Sequence, residues 1–253
     1  MDIIKISKEN FENILSTIEP VTEEVTFFSN GTNLLVDERD QAKVIAMVAS
    51  YSGFELLNPF ESIRINIEKL KKWLAFVSGE IVWSLTDKGV NFSVTVPKDA
   101  SEEEKKKPRK SLDVSIKIEE KRQPKTSTKT YPLTFEATRD NLDLKELSVI
   151  GEELTVSISK DSILFYCHSE DRKAVSPIVF SKSNIPEDQI GEYRFNYDLF
   201  SRVMNALSQF TIITVTLGRV NDKRIPLILE AKTDKIYARY GISPRKPAEE
   251  ATV

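Results

Sequence analysis

Residues 63–96, IRINIEKLKKWLAFVSGEIVWSLTDKGVNFSVTV, hold a complete strand–helix–strand–turn–strand unit. Ile63–Ile67 alternates apolar and polar side chains, the period of a half-buried strand. Leu70, Trp73, Leu74 and Val77 recur at i, i+3, i+4 and i+7, which lines one face of a helix, and Gly79 is a helix stop. Ile81–Leu85 resumes the strand pattern, Asp87-Lys88-Gly89 supplies a turn, and Val90, Phe92, Val94 and Val96 alternate again.

The same order is found on both sides of this stretch. Upstream, Ile3–Ile6 reads as a strand, and Phe11, Ile14, Leu15 and Ile18 form a helical stripe. Val25–Phe28, the Asn30-Gly31 turn and Leu34-Leu35-Val36 complete that unit. Downstream, a third unit runs from Tyr131–Phe135 through a helical stretch, Asn141 to Ile150, closed by Gly151. It ends in Leu154–Ile158, a Lys160-Asp161-Ser162 turn and Ile163–Cys167. A fourth starts at Tyr193–Tyr197 and enters a helix carrying Leu199, Val203, Ala206 and Leu207. Strands at Ile212–Leu217, Ile225–Leu229 and Lys235–Ile242 follow. Units one and three, and two and four, are offset by roughly 130 residues. The expected architecture is α+β, two pseudo-repeated halves, each a sheet with two helices on one face.

The polar stretch Glu119–Thr130 lacks apolar periodicity and reads as a connector between a first domain, 1–118, and a second, 131–245. Asp99–Lys110 reads as a long hairpin loop, and 246–253 as a flexible tail.

Of the 253 residues, 40% are hydrophobic and 30% charged, and the net charge is −3, so any nucleic-acid contact needs its cations concentrated on one face. The single cysteine, Cys167, excludes an intramolecular disulfide. No stretch approaches about 18 consecutive apolar residues, and MDIIKISKENF lacks the apolar core of a signal peptide. A soluble intracellular protein is expected, in cytoplasm or nucleoid if the source is prokaryotic.

Catalytic constellations are sparse. His168 follows Cys167 in a strand-like run, where neighbours point to opposite faces and do not converge as a Cys–His pair requires. Asp37-Glu38-Arg39-Asp40 offers carboxylates for a divalent ion without a second cluster, and a surface loop is the more common reading. With eight glycines there is no phosphate-cradling loop or nucleophile elbow. The expectation is a non-enzymatic protein without cofactor or metal.

Three segments resemble the sliding-clamp family of proliferating cell nuclear antigen (PCNA), archaeal type, and the repeated order of elements extends that likeness over nearly the whole chain. Glu146–Leu154 resembles the family's third helix and its exit into a strand, Arg224–Leu229 its proline-led strand, and Tyr240–Arg245 its closing segment. The resemblance implies a trimeric ring that encircles duplex DNA without sequence preference and tethers DNA polymerase, a clamp loader, and a flap nuclease or ligase. It places Lys8, Lys69, Lys71, Lys72, Arg139, Lys145 and Arg202 toward DNA phosphates, where cations supply salt-sensitive affinity. It places subunit edges at Ser111–Glu119, with Leu112, Val114, Ile116 and Ile118 on one face, and at Ala174–Ser181, with Val175, Pro177 and Val179. Pro177 cannot donate to a ladder, which points to a mixed ring of paralogues over a homotrimer. A partner-peptide pocket is implied at Val36, Pro226, Ile242, Ser243 and Pro244. The polar connector lacks the family's apolar anchors, so weakened or altered peptide affinity is expected. The alternatives are a DNA-independent interaction scaffold of clamp-like fold and, more remotely, a metal-dependent nuclease.

Overall fold

The computed structural model describes residues 1–95, 111–114, 133–142, 144, 152–168, 178–182, 184–221 and 223–245. The chain divides into two compact units, 1–38 with 48–125 and 234–237, and 39–47 with 126–233 and 238–253. Short segments of each half of the sequence therefore belong to the other unit.

In the first unit, β1 (Asp2–Ser7) enters α1 (Lys8–Ile18), β2 (Glu24–Ser29) and β3 (Leu34–Arg39) follow, and β4 (Ile45–Tyr51) belongs to this unit from Val48 onward. After the two-residue β5 (Glu55–Leu56) come β6 (Ser62–Asn66), α2 (Ile67–Leu74), β7 (Glu80–Thr86), β8 (Gly89–Val94) and β9 (Ser111–Val114). β1 pairs antiparallel with β7, and β2 with β6. The strand order β5-β1-β7-β8-β9 leaves β9 at an edge.

The second unit contains β10 (Leu133–Thr138), a 3-10 turn at Asp140–Leu142, β11 (Glu153–Ile158), β12 (Ser162–His168) and β13 (Ile178–Ser181). A second 3-10 turn, Glu187–Gln189, precedes β14 (Gly191–Asn196) and α3 (Tyr197–Ala206). β15 (Ile212–Leu217), the small β16 (Arg219–Val220) and β17 (Lys223–Arg224), β18 (Leu227–Lys232) and β19 (Ile236–Ile242) complete it. β10 pairs with β15 and β11 with β14, the same two long-range pairings as β1–β7 and β2–β6. The repeat is thus one of topology as well as order. Strand order β13-β12-β11-β14 leaves β13 and β14 at edges.

Each described helix starts at a side-chain cap that accepts from an otherwise unpaired backbone N–H. Ser7 caps α1, Asn66 accepts from the Lys69 N–H, and Asn196 accepts from the Leu199 N–H. The surrounding residues, Arg64-Ile65-Asn66-Ile67-Glu68 and Arg194-Phe195-Asn196-Tyr197-Asp198, repeat in type as well as position. At the other end of α2, Gly79 has φ +96°, a left-handed conformation that suits glycine, and its carbonyl accepts from the Lys8 N–H.

The α1 stripe is buried as expected, and Phe11 meets Trp83 and Phe92 with ring centroids 4.9 and 6.0 Å apart. Phe27 on β2 also touches Trp83, 5.6 Å away, so one aromatic cluster joins α1 to strands of both pairings. In the second unit, Phe135, Phe165 and Phe180 form an aromatic triad of their own.

Some expectations shift. Ile67 is the first residue of α2 rather than the last of a strand, because Asn66 caps there. Trp73 is only half-buried. On α3 the buried face is Tyr197, Phe200, Val203, Met204 and Ala206, and Leu199 is half-exposed. The proline-led strand begins at Leu227, after Pro226, which lacks an N–H to donate. β4 was not anticipated, although Ile45, Met47, Ala49 and Tyr51 alternate inward along it. Of the expected third helix, only Asn141, Leu142 and Leu144 are described, the first two within the 3-10 turn.

Candidate nucleic-acid and subunit surfaces

The charged faces of α1 and α2 come from residues set off the apolar stripe. They carry Lys8, Lys69, Lys71 and Lys72. Glu9, Glu12, Glu68 and the α1 C-cap Glu19 match them in number. Three of the four lysines are paired. Lys8 Nζ lies 3.5 Å from Glu12, Lys72 Nζ lies 2.6 Å from Glu68, and Lys71 Nζ reaches across to Glu19 at 2.5 Å. The hydrogen bond from Lys72 holds the Glu68 carboxyl below the usual range, so Glu68 stays anionic. Lys69 has no ion-pair partner among the described residues and sits beside Arg64 and Glu24 in a shallow polar recess. This face therefore carries cations and carboxylates in equal number, and phosphate binding there competes with its own carboxylates.

In the second unit, Arg202 projects from α3 and is exposed, with Asp198 one turn earlier. Arg139 is mostly covered: its side chain is 21% exposed, its guanidinium lies 3.9 Å from Asp140, and its Nε is buried with no hydrogen-bond partner among the described residues. It lines a cavity of about 10 Å³ with Tyr197, Phe200 and Met204, so it is less available to phosphate than its sequence position implies. Lys145 lies outside the described residues.

At the edges, Leu112 is half-buried and Val114 buried, their side chains sharing the face of Phe92 and Val90 opposite them. On β13, Ile178 and Phe180 are the half-buried residues, Phe180 packing on Phe135 and Phe165, while Val179 is 56% exposed. An exposed valine on an edge strand is an unblunted edge. Ile116, Ile118, Val175 and Pro177 lie outside the described residues.

The expected peptide pocket is corrected in part. Val36 and Ile242 are both 0% exposed. Each falls on the inward parity of its strand, Val36 with Leu34 and Ile242 with Tyr240, so neither presents a wall to a docked peptide. Pro226 is exposed, and Ser243 and Pro244 are half-exposed. The Ser243 N–H donates to the Val44 carbonyl, and Val44 is 37% exposed, an apolar candidate that the sequence reading passed over.

Cys167 is buried and its thiol is pushed up to about 11 by burial, opposite to the activation a nucleophile needs. Among the described residues, no group of three His, Cys, Asp or Glu side chains is placed to hold a metal ion. Nor is any described helix long and apolar enough to cross a membrane. In the Asp37–Asp40 run, Asp40 instead accepts from the Ile45 N–H and Glu38 from the Thr26 N–H.

No family model matches the sequence, and no curated protein does. Among solved structures, the crystal structure of the proliferating cellular nuclear antigen from Entamoeba histolytica is similar over 97% of this chain and 100% of its own, with TM-score 0.73 and 13% sequence identity. The chain has the α+β sliding-clamp fold, reached from a sequence that shares little with that protein beyond its pattern.

Proposed function

We propose that this chain is a DNA sliding-clamp subunit, a non-enzymatic ring component that encircles duplex DNA and tethers replication and repair proteins. The observation that carries this is the fold likeness over 97% of this chain and 100% of the Entamoeba histolytica chain. The unblunted edge at Val179 and the edge strand β9 supply surfaces for ring closure. Pro177 and the polar connector favour a mixed ring of archaeal-type paralogues over a homotrimer. Polymerase, clamp loader, and a flap nuclease or ligase are the clients of such a ring. The two-domain division at 118 and 131, the lysines of α2 and Arg202 on α3 belong to the same reading.

The test is retention on DNA. The assembled ring should stay on closed circular duplex and leave when the circle is cut, with sizing of the chain alone and mixed with clamp-like proteins of its source fixing the assembly. A stable lone homotrimer contradicts the mixed ring, and retention indifferent to cutting contradicts encirclement.

The second reading, a DNA-independent scaffold, is favoured by one observation: the α1–α2 face is internally neutralised through Lys71–Glu19, Lys72–Glu68 and Lys8–Glu12. It predicts protein partners at the edges and no DNA-dependent retention.

A further inference from the structure

The small hairpin of β16 and β17 carries Arg219, Lys223 and Arg224 within six residues. Its register sets Arg219 directly opposite Arg224, and Val220 opposite Lys223. Like charges facing each other across an antiparallel pair are unfavourable unless something offsets them. No carboxylate among the described residues lies within ion-pairing distance of either guanidinium, and Asp222 lies outside them.

The arrangement is nevertheless held in place from beneath. Gln189, 1% exposed, grips the Arg219 backbone from both sides: its Oε1 accepts from the Arg219 N–H at 2.7 Å, and its Nε2 donates to the Arg219 carbonyl at 3.2 Å. Both guanidiniums sit against one buried ring, Arg219 at 5.8 Å and Arg224 at 5.7 Å from the Tyr193 centroid. Tyr193 is fixed in turn by its hydroxyl, which donates to the Gln189 carbonyl at 3.0 Å. Burial raises the Tyr193 phenol above its ordinary range, so the ring is a neutral platform and does not cancel the charge above it. Asp188, which forms no ion pair with either guanidinium, accepts from Gln189 Nε2 at 2.9 Å. Val220 is 40% exposed and adds an apolar contact beside the cations.

We infer that Arg219 and Val220 of β16 with Lys223 and Arg224 of β17 form a preorganised docking surface for an acidic peptide segment of a partner protein. Two guanidiniums on one platform suit a pair of carboxylates through charge-assisted hydrogen bonds, and Lys223 with Val220 extends the contact to a flanking acid and an apolar side chain. Topology favours protein over duplex DNA as the occupant. α3, which carries Arg202, joins the end of β14 to the start of β15. The hairpin and Gln189 sit at the opposite ends of those two strands. The choice of protein over DNA rests on the proposed reading of α3 as a DNA-facing helix, whereas the paired cations do not.

The test is fluorescence anisotropy of a fluorescein-labelled oligoglutamate peptide against the full chain. Binding should weaken as salt is raised, and R219Q/R224Q should weaken it about tenfold or more. K223E, at an exposed hairpin position, should weaken it severalfold and supplies the answer if the double variant melts early. Absence of binding at low salt, or equal affinity for the wild-type chain and both variants, overturns the inference. Competition by a short duplex DNA whose own binding is lost in R219Q/R224Q also overturns it and gives these cations to phosphate.

Discussion

Arg64 Nε on β6 lies 3.1 Å from Glu24 Oε2 on β2, two residues before the Asn66 cap that faces Glu24 in the ladder. The second unit repeats the device. Arg194 lies 3.6 Å from Glu153, and Asn196 faces Glu153. A strand-to-helix corner is thus pinned twice, by an ion pair across the strands and by an asparagine cap.

The two parts of that corner contribute unequally. Asn66→Ala and Asn196→Ala each remove a cap and should cost about 1 kcal/mol, within a range of about 0.5–2. Arg64→Ala breaks a partly exposed pair and should cost less than about 1 kcal/mol. Urea denaturation of the three variants checks this order; a larger loss in Arg64→Ala than in either asparagine variant would mean that the ion pair, not the cap, sets the corner.

Freeing the α2 lysines should strengthen DNA contact if that face meets phosphate. E19Q/E68Q removes the partners of Lys71 and Lys72. The slope of log affinity against log salt should steepen by up to about 2, near 0.9 for each cation released to phosphate. Titration of duplex DNA at several salt concentrations measures it, and an unchanged slope favours the scaffold reading.

Alkaline pH should destabilise the chain through Cys167. Its thiol is pushed up to about 11 from an ordinary value of 9.0 by burial, so the unfolded chain releases this proton first. Above pH 9 the unfolded state binds fewer protons than the folded one, and stability falls until the folded thiol also ionises near pH 11. Tyr51, raised by burial against its bond to Thr17, extends the decline at still higher pH. Urea midpoints at about pH 8 and about pH 10.5 should differ less in Cys167→Ala than in the wild-type chain. A difference of the same size would place the alkaline sensitivity elsewhere.

Val179→Lys should blunt the β13 edge. Because Val179 is 56% exposed, the isolated chain should lose no more than about 0.5 kcal/mol, while association with clamp subunits should drop sharply. Sedimentation of mixtures, beside a thermal melt of the variant alone, separates the two effects. Undiminished association would remove β13 from the interface.

Much of the fold was legible because periodicity is a local consequence of backbone geometry. Phe11, Ile14, Leu15 and Ile18 had to share a helix face, and Val90 and Phe92 a strand face. β4 alternates as clearly but stands outside the repeated strand–helix–strand order, and the shared Arg-x-Asn-x-acid pattern around Asn66 and Asn196 marks the repeated corner in the sequence. The phase of α3 was not legible. A stripe through Leu199 and one through Phe200 both fit a 3.6-residue period, and packing of the bulkier Phe200 and Met204 selected the second. Surface roles were least legible. Val36 and Ile242 were apolar and suitably placed in sequence, but strand parity turned both into the core.

The sequence by itself determined the α+β class, the doubled order of elements, the glycine stop after α2 and the absence of an intramolecular disulfide, because each follows from residue type and short-range spacing. Only the tertiary structure decided which charges are free. Lys71 and Glu19 are far apart in sequence yet form a pair, and Arg219 and Arg224 converge on Tyr193 with no described acid within ion-pairing distance. Electrostatic neutrality depends on distance in space, and no count of lysines along the chain contains that distance.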